Sequence, residues 1–243
     1  MPEADARAAR AELERLLSDA GLTLPPAVLD QLQRYVRLLL EANERLNLTR
    51  VVEPAAVARL HLLDALSALP IIDAAAPARA LDLGSGGGVP GLVLAIARPE
   101  VRWTLLDSVR KKADALRAFA TSLDLANVEV VADRAELLGR GPARGSFDVV
   151  TARACAALPA LVELALPLLR VGGTLVAWKG PIGHEELAAG GRASALIGGS
   201  EPAVRAAGIQ GLGDHRFVLI TKLAPTPERY PRRPGQPVRR PLG

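Results

Sequence analysis

Residues 81–91 read Leu81-Asp82-Leu83-Gly84-Ser85-Gly86-Gly87-Gly88-Val89-Pro90-Gly91, a short apolar run that changes abruptly into a glycine-rich loop. Glycine adopts positive φ angles and lacks the Cβ that would hold a ligand away from the backbone. A glycine cluster that follows a strand therefore predicts contact with a nucleotide-like ligand. The identity of that nucleotide depends on the rest of the chain.

The segments that follow this stretch alternate between strand-like and helix-like patterns. Strands are predicted at residues 80–83, 103–106, 128–131, 147–151, 174–178 and 217–222, and the clearest helices at 109–123 and 158–169. Such alternation is typical of an α/β fold, in which a mostly parallel sheet carries helices on both faces. The region 181–211, rich in glycine and alanine, has no clear pattern.

The two ends of the chain differ from this middle part, so we divide it into residues 1–70, 71–224 and 225–243. The first part contains three predicted helices, at 3–20, 25–43 and 54–69, and forms a small helical segment. On the third helix, His61 and Asp64 share a face at i, i+3 spacing. The last part is rich in proline and arginine, and we expect it to be extended or disordered.

Composition and charge restrict the location and the partners. The only cysteine, Cys155, cannot form an internal disulfide, and acidic residues such as Glu3 and Asp5 argue against a secretory signal. We find no run of about 20 uncharged apolar residues, and therefore expect a cytoplasmic protein without a membrane span. We also expect a monomer.

The net charge of +4 comes from the C-terminal tail. Residues 1–228 hold 25 basic and 26 acidic groups, whereas five arginines and no acid follow Glu228: Arg229, Arg232, Arg233, Arg239 and Arg240. A basic tail on a nearly neutral body indicates a polyanionic partner.

Three chemistries use a glycine loop after a strand, and spacing separates them. A P-loop needs a lysine after its last glycine, whereas Gly91 is followed by Leu92. A dinucleotide fingerprint begins directly after its strand, and counting from Gly84 puts Val89 at the position of its third glycine. Neither of these two patterns matches the chain.

The third pattern is an acid, Asp82, followed by alternating glycines, with a second acid, Asp107, at the end of the next strand. This arrangement resembles the Rossmann-like class I methyltransferases, which use S-adenosylmethionine. Asp107 suits the ribose hydroxyls, because a carboxylate accepts two such hydrogen bonds. The alternative interpretation is a tight turn with Asp107 as a helix N-cap.

The residues after the fourth strand, Thr151-Ala152-Arg153-Ala154-Cys155, bear on the methyl acceptor, because they lie at the carboxyl edge of the sheet. They lack the Asn/Asp-Pro-Pro-aromatic sequence common in enzymes that methylate exocyclic amines. We interpret Cys155 as a small buried packing residue rather than a nucleophile. A ring nitrogen such as guanine N7 fits better, since its lone pair is available without loss of a proton. Such a transfer depends on positioning, and we assign no catalytic residue and no metal site.

Further motifs extend along the chain: Asn47-Leu48-Thr49, His61-Leu62-Leu63-Asp64, Leu105-Leu106-Asp107-Ser108 with Lys111, Arg134-Ala135-Glu136, Arg153-Ala154, Lys179-Gly180 and Tyr230-Pro231-Arg232-Arg233-Pro234-Gly235. With the glycine loop, they resemble the RsmG (GidB) family, bacterial methyltransferases that modify N7 of one guanosine in 16S ribosomal RNA. The chain departs from that family at Ala65, often Ser, and at Val89, often Phe or Leu.

The resemblance implies S-adenosylmethionine as cofactor, S-adenosylhomocysteine as product, and a set of cofactor-binding residues. These are Gly84, Gly86 and Val89 at the amino-acid side, Asp107 and Ser108 at the ribose, Ala135 and Glu136 at the adenine, and Arg153 at the junction with the acceptor. Predicted substrate-binding residues are Arg153, Lys179, Arg232 and Arg233.

The expected partner is 16S rRNA within the small ribosomal subunit. Arginines on an extended tail would neutralise its phosphates, so deletion of residues 228–243 is expected to weaken substrate binding and its salt dependence without changing cofactor affinity. Two alternatives stay open. A small-molecule or protein methyltransferase would turn over without ribosomal particles, and a non-catalytic ribosome-binding module would not bind S-adenosylmethionine.

Overall fold

The computed structural model describes residues 2–243 and contains helices along the whole chain. The helices are α1 (Pro2–Asp19), α2 (Pro26–Leu46), α3 (Pro54–Val57), α4 (Asp64–Leu66), α5 (Leu69–Ala75), α6 (Gly91–Ala97), α7 (Arg110–Ser122), α8 (Ala135–Leu138), α9 (Leu158–Ala165), α10 (His184–Ile197) and α11 (Gln236–Arg239). A π-helical segment, Ala58–Leu63, joins α3 to α4.

Seven strands form one sheet. They are β1 (Arg79–Leu83), β2 (Arg102–Leu106), β3 (Val128–Val131), β4 (Phe147–Arg153), β5 (Leu169–Lys179), β6 (Ala203–Ala206) and β7 (Arg216–Thr221), in the order β3-β2-β1-β4-β5-β7-β6. Strands β1 to β5 are parallel, whereas β7 runs antiparallel to β5 and β6. The strand order reverses between β1 and β4, and parallel sheets bind ligands at the carboxyl ends of such strands.

The α/β prediction is confirmed, and each of the six predicted strands is present. The seventh strand, β6, was missed because it has only four residues, Ala203–Ala206, and all four are exposed, so they show no alternation of buried apolar and exposed polar side chains. Helix α10 fills part of the region 181–211 that had no clear pattern. The prediction that the first helical segment precedes the sheet is also confirmed.

The N-terminal helices share their core with the sheet instead of forming a core of their own. Leu13 and Val36 belong to the same buried cluster as Leu92 of α6 and Phe119 of α7. Helix α2 also reaches the glycine loop, where the hydroxyl of Tyr35 donates to the Gly87 carbonyl at 2.8 Å. The N-terminal segment therefore supports the side of the loop that faces the core.

One helical run of 22 residues, Pro54–Ala75, is long and apolar enough to cross a bilayer by length and composition. It contains Arg59, Asp64 and Asp73, so it is not an uncharged run of the kind that the sequence analysis found absent. About 67% of the residues in its most apolar window are buried inside the protein. The run also carries the buried polar side chains of His61 and Asp64, both bonded to other elements. In this fold it packs as a core element.

The C-terminal tail is packed, and the prediction that it is extended or disordered is wrong. Arg232 donates through Nε, Nη2 and its backbone N–H to the carboxylate of Glu163 on α9, at 2.6 to 3.0 Å. Glu163 is fully buried, and Tyr230 of the tail is buried as well. The N–H of Gly235 donates to Glu136 at 2.6 Å. Composition did not predict this docking because it depends on partners elsewhere in the chain.

A second set of contacts fixes the beginning of the tail. Arg140 donates to the carbonyl of Pro231 at 2.7 Å, and Arg144 donates to those of Tyr230 and Thr226, each at 2.7 Å. Guanidinium groups suit this role, because each presents five donors in a planar array. The tail is thus attached by charged and polar contacts rather than by apolar burial alone.

The glycine loop is tied to the sheet through Asp82, which is fully buried on β1. One carboxylate oxygen accepts a hydrogen bond from Thr151 of β4 at 2.7 Å, and the other accepts from the N–H of Gly91 at 3.1 Å. Burial raises the pKa of Asp82, and these hydrogen bonds oppose that shift. Asp82 therefore joins β1, β4 and the start of α6.

We expect Gly91→Ala to destabilise the protein by about 2 kcal/mol. A Cβ at Gly91 would lie 2.5 Å from the Asp82 Cβ and 2.6 Å from Leu105 Cδ2, both inside the core. Urea unfolding measures the effect. Gly180→Ala is the control, because a Cβ there meets no atom within 4 Å. Equal unfolding midpoints for the two variants would contradict the expectation.

Candidate functional site

The glycine loop lies at the carboxyl end of β1, and three of its glycines have positive φ. Gly84, Gly86 and Gly88 have φ angles of +74°, +56° and +104°, a region that favours glycine. The N–H groups of Gly84 and Ser85 donate to the Leu106 carbonyl at 2.8 and 3.0 Å. The loop therefore starts where the ends of β1 and β2 meet.

Asp107, the acid that follows β2, is buried beside this loop. Its Oδ2 accepts from the N–H of Gly86 at 2.9 Å, and its Oδ1 accepts from the N–H of Val109 at 2.8 Å. The second bond shapes the turn before α7, but the N-cap of α7 is Val109 and no side chain caps the helix, so the interpretation of Asp107 as a helix N-cap is wrong. Each oxygen has a further lone pair, so both can also accept from a ligand hydroxyl.

A cavity of about 160 Å³ opens between the ends of β1 and β2 and helix α8. Its walls include the predicted residues Gly84, Ser108, Ala135 and Glu136, together with Leu83, Leu106, Asp133, Arg134, Cys155, Leu164 and Val238. Sites for whole ligands are usually roughly 300–1,000 Å³, so this cavity suits one part of a larger ligand. We call it the loop cavity.

Two larger surface grooves lie away from the glycine loop. One, of about 360 Å³, is lined by Arg79, Arg102 and Val128, the first residues of β1, β2 and β3. The other, of about 600 Å³, runs along α7 and includes Arg117. Ligands of parallel sheets bind at the carboxyl ends of the strands, so position rather than size identifies the loop cavity.

The other predicted cofactor residues do not line the loop cavity. Gly86 and Asp107 are joined by their hydrogen bond. The side chain of Val89 is buried in the cluster that contains Tyr35 and Leu92. Arg153 lies at a neighbouring cavity.

The interpretation of Cys155 as a buried residue is wrong, because it is exposed at the wall of the loop cavity. The pKa of its thiol is raised to about 11, since neighbouring atoms desolvate the sulfur and the carboxylates of Asp82 and Asp107 lie near. The thiol is therefore protonated at neutral pH. This state does not favour nucleophilic attack by Cys155.

A buried carboxylate, Asp64, connects residues from three parts of the chain. Its Oδ2 accepts from Arg153 Nη1 at 3.0 Å, and its Oδ1 lies 2.8 Å from Nδ1 of His215. The Asp64 carbonyl accepts from the indole N–H of Trp178 at 3.0 Å. Asp64 thus fixes the ends of β4 and β5 and the start of β7 relative to the N-terminal segment.

His61 extends this network. Arg153 Nη2 lies 3.4 Å from Nδ1 of His61, and because a guanidinium only donates, Nδ1 is the acceptor. The other ring nitrogen, Nε2, then donates to Thr49 Oγ1 at 2.8 Å. Burial and the positive charge of Arg153 lower the pKa of His61 to about 4. His61 is therefore neutral at physiological pH.

A second cavity, of about 360 Å³, opens beside this network. It is lined by Asp64, Arg153, Ala154, Trp178, Lys179, Gly180 and His215, and we call it the strand-end cavity. It contains the two predicted substrate residues that end β4 and β5, Arg153 and Lys179. Among residues 2–243, no group of three His, Cys, Asp or Glu side chains is arranged to bind a metal ion.

The predicted substrate residues differ in their partners. Lys179 donates to Glu186 at 2.8 Å and to the Ala156 carbonyl at 3.0 Å. Arg232 is paired with Glu163, which gives its side chain a structural partner, and Arg233 is exposed. Substrate contact by these residues stays a prediction.

Several side chains that line these cavities were not predicted as site residues, among them Trp178, His215 and Val238. His215 belongs to no local motif, because its partner, Asp64, is 151 positions away. Strand pairing offers a signal, since β7 is antiparallel to β5 and starts opposite Lys179, at the edge where β5 ends. For Val238, which depends on the docking of the tail, the sequence offers no comparable signal.

Sequence comparisons relate the chain to one group of proteins. A family model described as "GidB: rRNA small subunit methyltransferase G" matches residues 28–210. The ribosomal RNA small subunit methyltransferase G of Deinococcus radiodurans is 46% identical over 244 residues, covering 100% of this chain and 96% of the relative. The protein of the same name from Chloroflexus aggregans is 45% identical, covering 94% of this chain and 98% of the relative.

Structural comparisons agree on the fold. A putative O-methyltransferase from Klebsiella pneumoniae matches with a TM-score of 0.54 and 18% identity, covering 88% of this chain and 97% of that one. The O-methyltransferase TomG from Streptomyces achromogenes, solved with S-adenosylmethionine, matches with a TM-score of 0.53 and 18% identity, covering 87% and 96%. The prediction of a Rossmann-like methyltransferase fold is confirmed.

We expect His61 to make stability depend on pH between about 6.5 and 4. The unfolded chain binds a proton on His61 in this range and the folded chain does not, so stability falls as pH decreases, by about 2 kcal/mol at pH 4.5. Urea unfolding at pH 7 and pH 4.5 measures this loss of stability. In His61→Gln the loss between the two pH values should be smaller by about 2 kcal/mol. His184 is exposed, so His184→Gln should lose as much stability between pH 7 and pH 4.5 as the wild type. The same loss in all three proteins would contradict the expectation.

Proposed function

Because the chain belongs to the GidB family of ribosomal RNA small subunit methyltransferases, we infer that it transfers a methyl group from S-adenosylmethionine to N7 of a guanosine in 16S rRNA. The observation that carries this inference is the match to a relative along the whole chain. The prediction of the RsmG (GidB) family is thereby confirmed.

The residues beside the glycine loop are compatible with S-adenosylmethionine. Gly84 lines the loop cavity, and a Cβ there would lie 3.0 Å from the Cys155 sulfur and narrow the cavity. Asp107 has free lone pairs for the ribose hydroxyls, with Ser108 beside it. Ala135 and Glu136, at the start of α8, offer an apolar surface and a carboxylate for the adenine. Gly86 and Val89 would contribute backbone atoms at the amino-acid side.

The strand-end cavity is the proposed acceptor site. Its volume of about 360 Å³ lies in the range of small-molecule sites, and it adjoins the end of β4, where methyl acceptors of this fold class approach the cofactor. Arg153 and Lys179 bring positive charge to it, and Trp178 forms an apolar wall. A guanosine nucleotide, with its planar base and its anionic phosphate, matches these features.

The transfer requires positioning rather than proton removal. When bound, S-adenosylmethionine would supply an electrophilic methyl group that N7 can accept through its lone pair, and the electrons of the carbon–sulfur bond would stay on the sulfur of the released S-adenosylhomocysteine. No proton leaves the base in this step, which agrees with a neutral His61 and a protonated Cys155. The expected contribution of the protein is alignment of the two reactants.

The proposed RNA contacts come from the tail and from the strand-end cavity. Arg233, Arg239 and Arg240 are exposed and form no ion pair with any of residues 2–243. They are the arginines best suited to phosphates, whereas Arg232 is bonded to Glu163. We further propose a cytoplasmic monomer that acts on the small ribosomal subunit and is divided at residues 70 and 224.

The central prediction concerns the product. Incubation with labelled S-adenosylmethionine and unmethylated small subunits, or the rRNA freed of protein, should give one N7-methylguanosine in 16S rRNA, mapped by chemical cleavage. Gly86→Val should bind no cofactor and give no product, because valine is strongly strained at φ +56°. Gly21 has a similar φ of +65° but lies outside the site, so Gly21→Val should be similarly strained and should retain both cofactor binding and product formation.

The outcomes separate the alternatives. If the protein binds the cofactor but forms no N7-methylguanosine in either substrate, guanine N7 is not the methyl acceptor. If the wild type does not bind the cofactor, the proposal that the protein is a methyltransferase is overturned. Equal cofactor affinity in Gly86→Val and the wild type would contradict the proposed role of the loop.

A second prediction concerns salt. Replacing Arg233, Arg239 and Arg240 by glutamine should weaken binding to 16S rRNA and lower the salt slope by roughly 0.7–0.9 per lost phosphate contact. Filter binding at several salt concentrations measures the slope. A triple glutamine variant of Arg45, Arg192 and Arg205, which are also exposed, controls for net charge. Equal slopes in the two triple variants would exclude a specific role for the tail.

A further inference from the structure

The tail, besides carrying arginines, forms part of the wall of the loop cavity. Val238, on the short helix α11, lines this cavity together with Leu106, Ala135 and Leu164. Its side chain is 57% exposed, and the apolar part of the cavity wall beside it comes from Leu83, Leu106, Ala135 and Leu164. An apolar side chain at the mouth of a cavity gains from a ligand that covers it, because contact removes apolar surface from water.

Two anchors keep Val238 at this place. The first is the pair of Arg232 with Glu163, in which the carboxylate is fully buried and both of its oxygens accept from Arg232. The second is the 2.6 Å hydrogen bond from the N–H of Gly235 to Glu136, whose side chain also lines the cavity. The second anchor therefore joins the tail directly to a wall of the loop cavity.

These contacts have a consequence for Glu136. One of its oxygens, Oε1, is bonded to the tail, which orients the carboxylate and leaves Oε2 for another donor. A carboxylate that accepts a backbone N–H is held in position, and positioned polar groups determine ligand orientation in such sites. The tail thus acts on the cavity twice, through Val238 and through Glu136.

We propose that the tail is a part of the cofactor site, in which Val238 covers the adenine end of S-adenosylmethionine. The proposal rests on the proposed function, because it takes the ligand of the loop cavity from it. It replaces the expectation that removal of residues 228–243 leaves cofactor affinity unchanged. The nucleoside is the part concerned, since the loop cavity is lined by Ala135 and Glu136 and is too small for a whole ligand.

Calorimetric titration with S-adenosylmethionine and with S-adenosylhomocysteine tests the proposal. Val238→Ser should weaken both ligands on the order of tenfold, because one apolar contact to the ligand is lost. The two losses should be equal, since the ligands share the nucleoside. Val238→Ile should retain wild-type affinity. Val171→Ser is the matched control, because Val171 is 50% exposed and lies outside the loop cavity.

The result distinguishes this proposal from the proposed function. If the wild type binds both ligands and Val238→Ser binds them equally well, the tail is not part of the site, whereas the function stands. If the wild type binds neither ligand, the proposed function is overturned, and the proposal for the tail is overturned with it. A loss for S-adenosylmethionine alone would also overturn the proposal, because it would locate Val238 at the methyl group. Thermal unfolding of Val238→Ser should match the wild type, since the side chain is exposed.

Discussion

The position of the glycine loop depends on one buried carboxylate, that of Asp82. A charged group in the core is costly unless hydrogen bonds compensate it, and here Thr151 and the N–H of Gly91 supply them. These bonds connect the two central strands to the first turn of α6. The positive φ angles of the loop and its hydrogen bond to Asp107 are possible because both ends of the loop are fixed.

Asp64 has the corresponding function at the strand-end cavity. It is also buried, and its partners Arg153 and His215 come from the end of β4 and the start of β7. Because the N-terminal segment contributes Asp64, His61 and Thr49, that segment is part of the proposed acceptor site. The two cavities therefore rest on two buried acids, one within the sheet and one from outside it.

The sequence predicted the fold well, because the period of the apolar residues and the position of the glycines are local properties. It also predicted Gly84, Ser108, Ala135 and Glu136, which all line one cavity. Contacts between distant residues were not predictable in this way. Arg232 meets Glu163, and His215 meets Asp64, only in the tertiary fold. The exposure of Cys155 depends on the conformation of the loop that follows β4. A proline-rich and arginine-rich tail also has the composition of a disordered segment, whereas buried charge pairing and guanidinium contacts keep it folded.

The pairing of Glu163 with Arg232 has a consequence for synthesis of the protein. Glu163 lies in α9, yet its partner Arg232 is made 69 residues later. Until Arg232 has left the ribosome, the Glu163 carboxylate on α9 has no cationic partner. Burying it in the core without that partner costs free energy. The core around α9 is therefore complete only after residue 232 has been made. A chain that lacks Arg232 would keep this acid uncompensated, which is strongly destabilising for a buried charge.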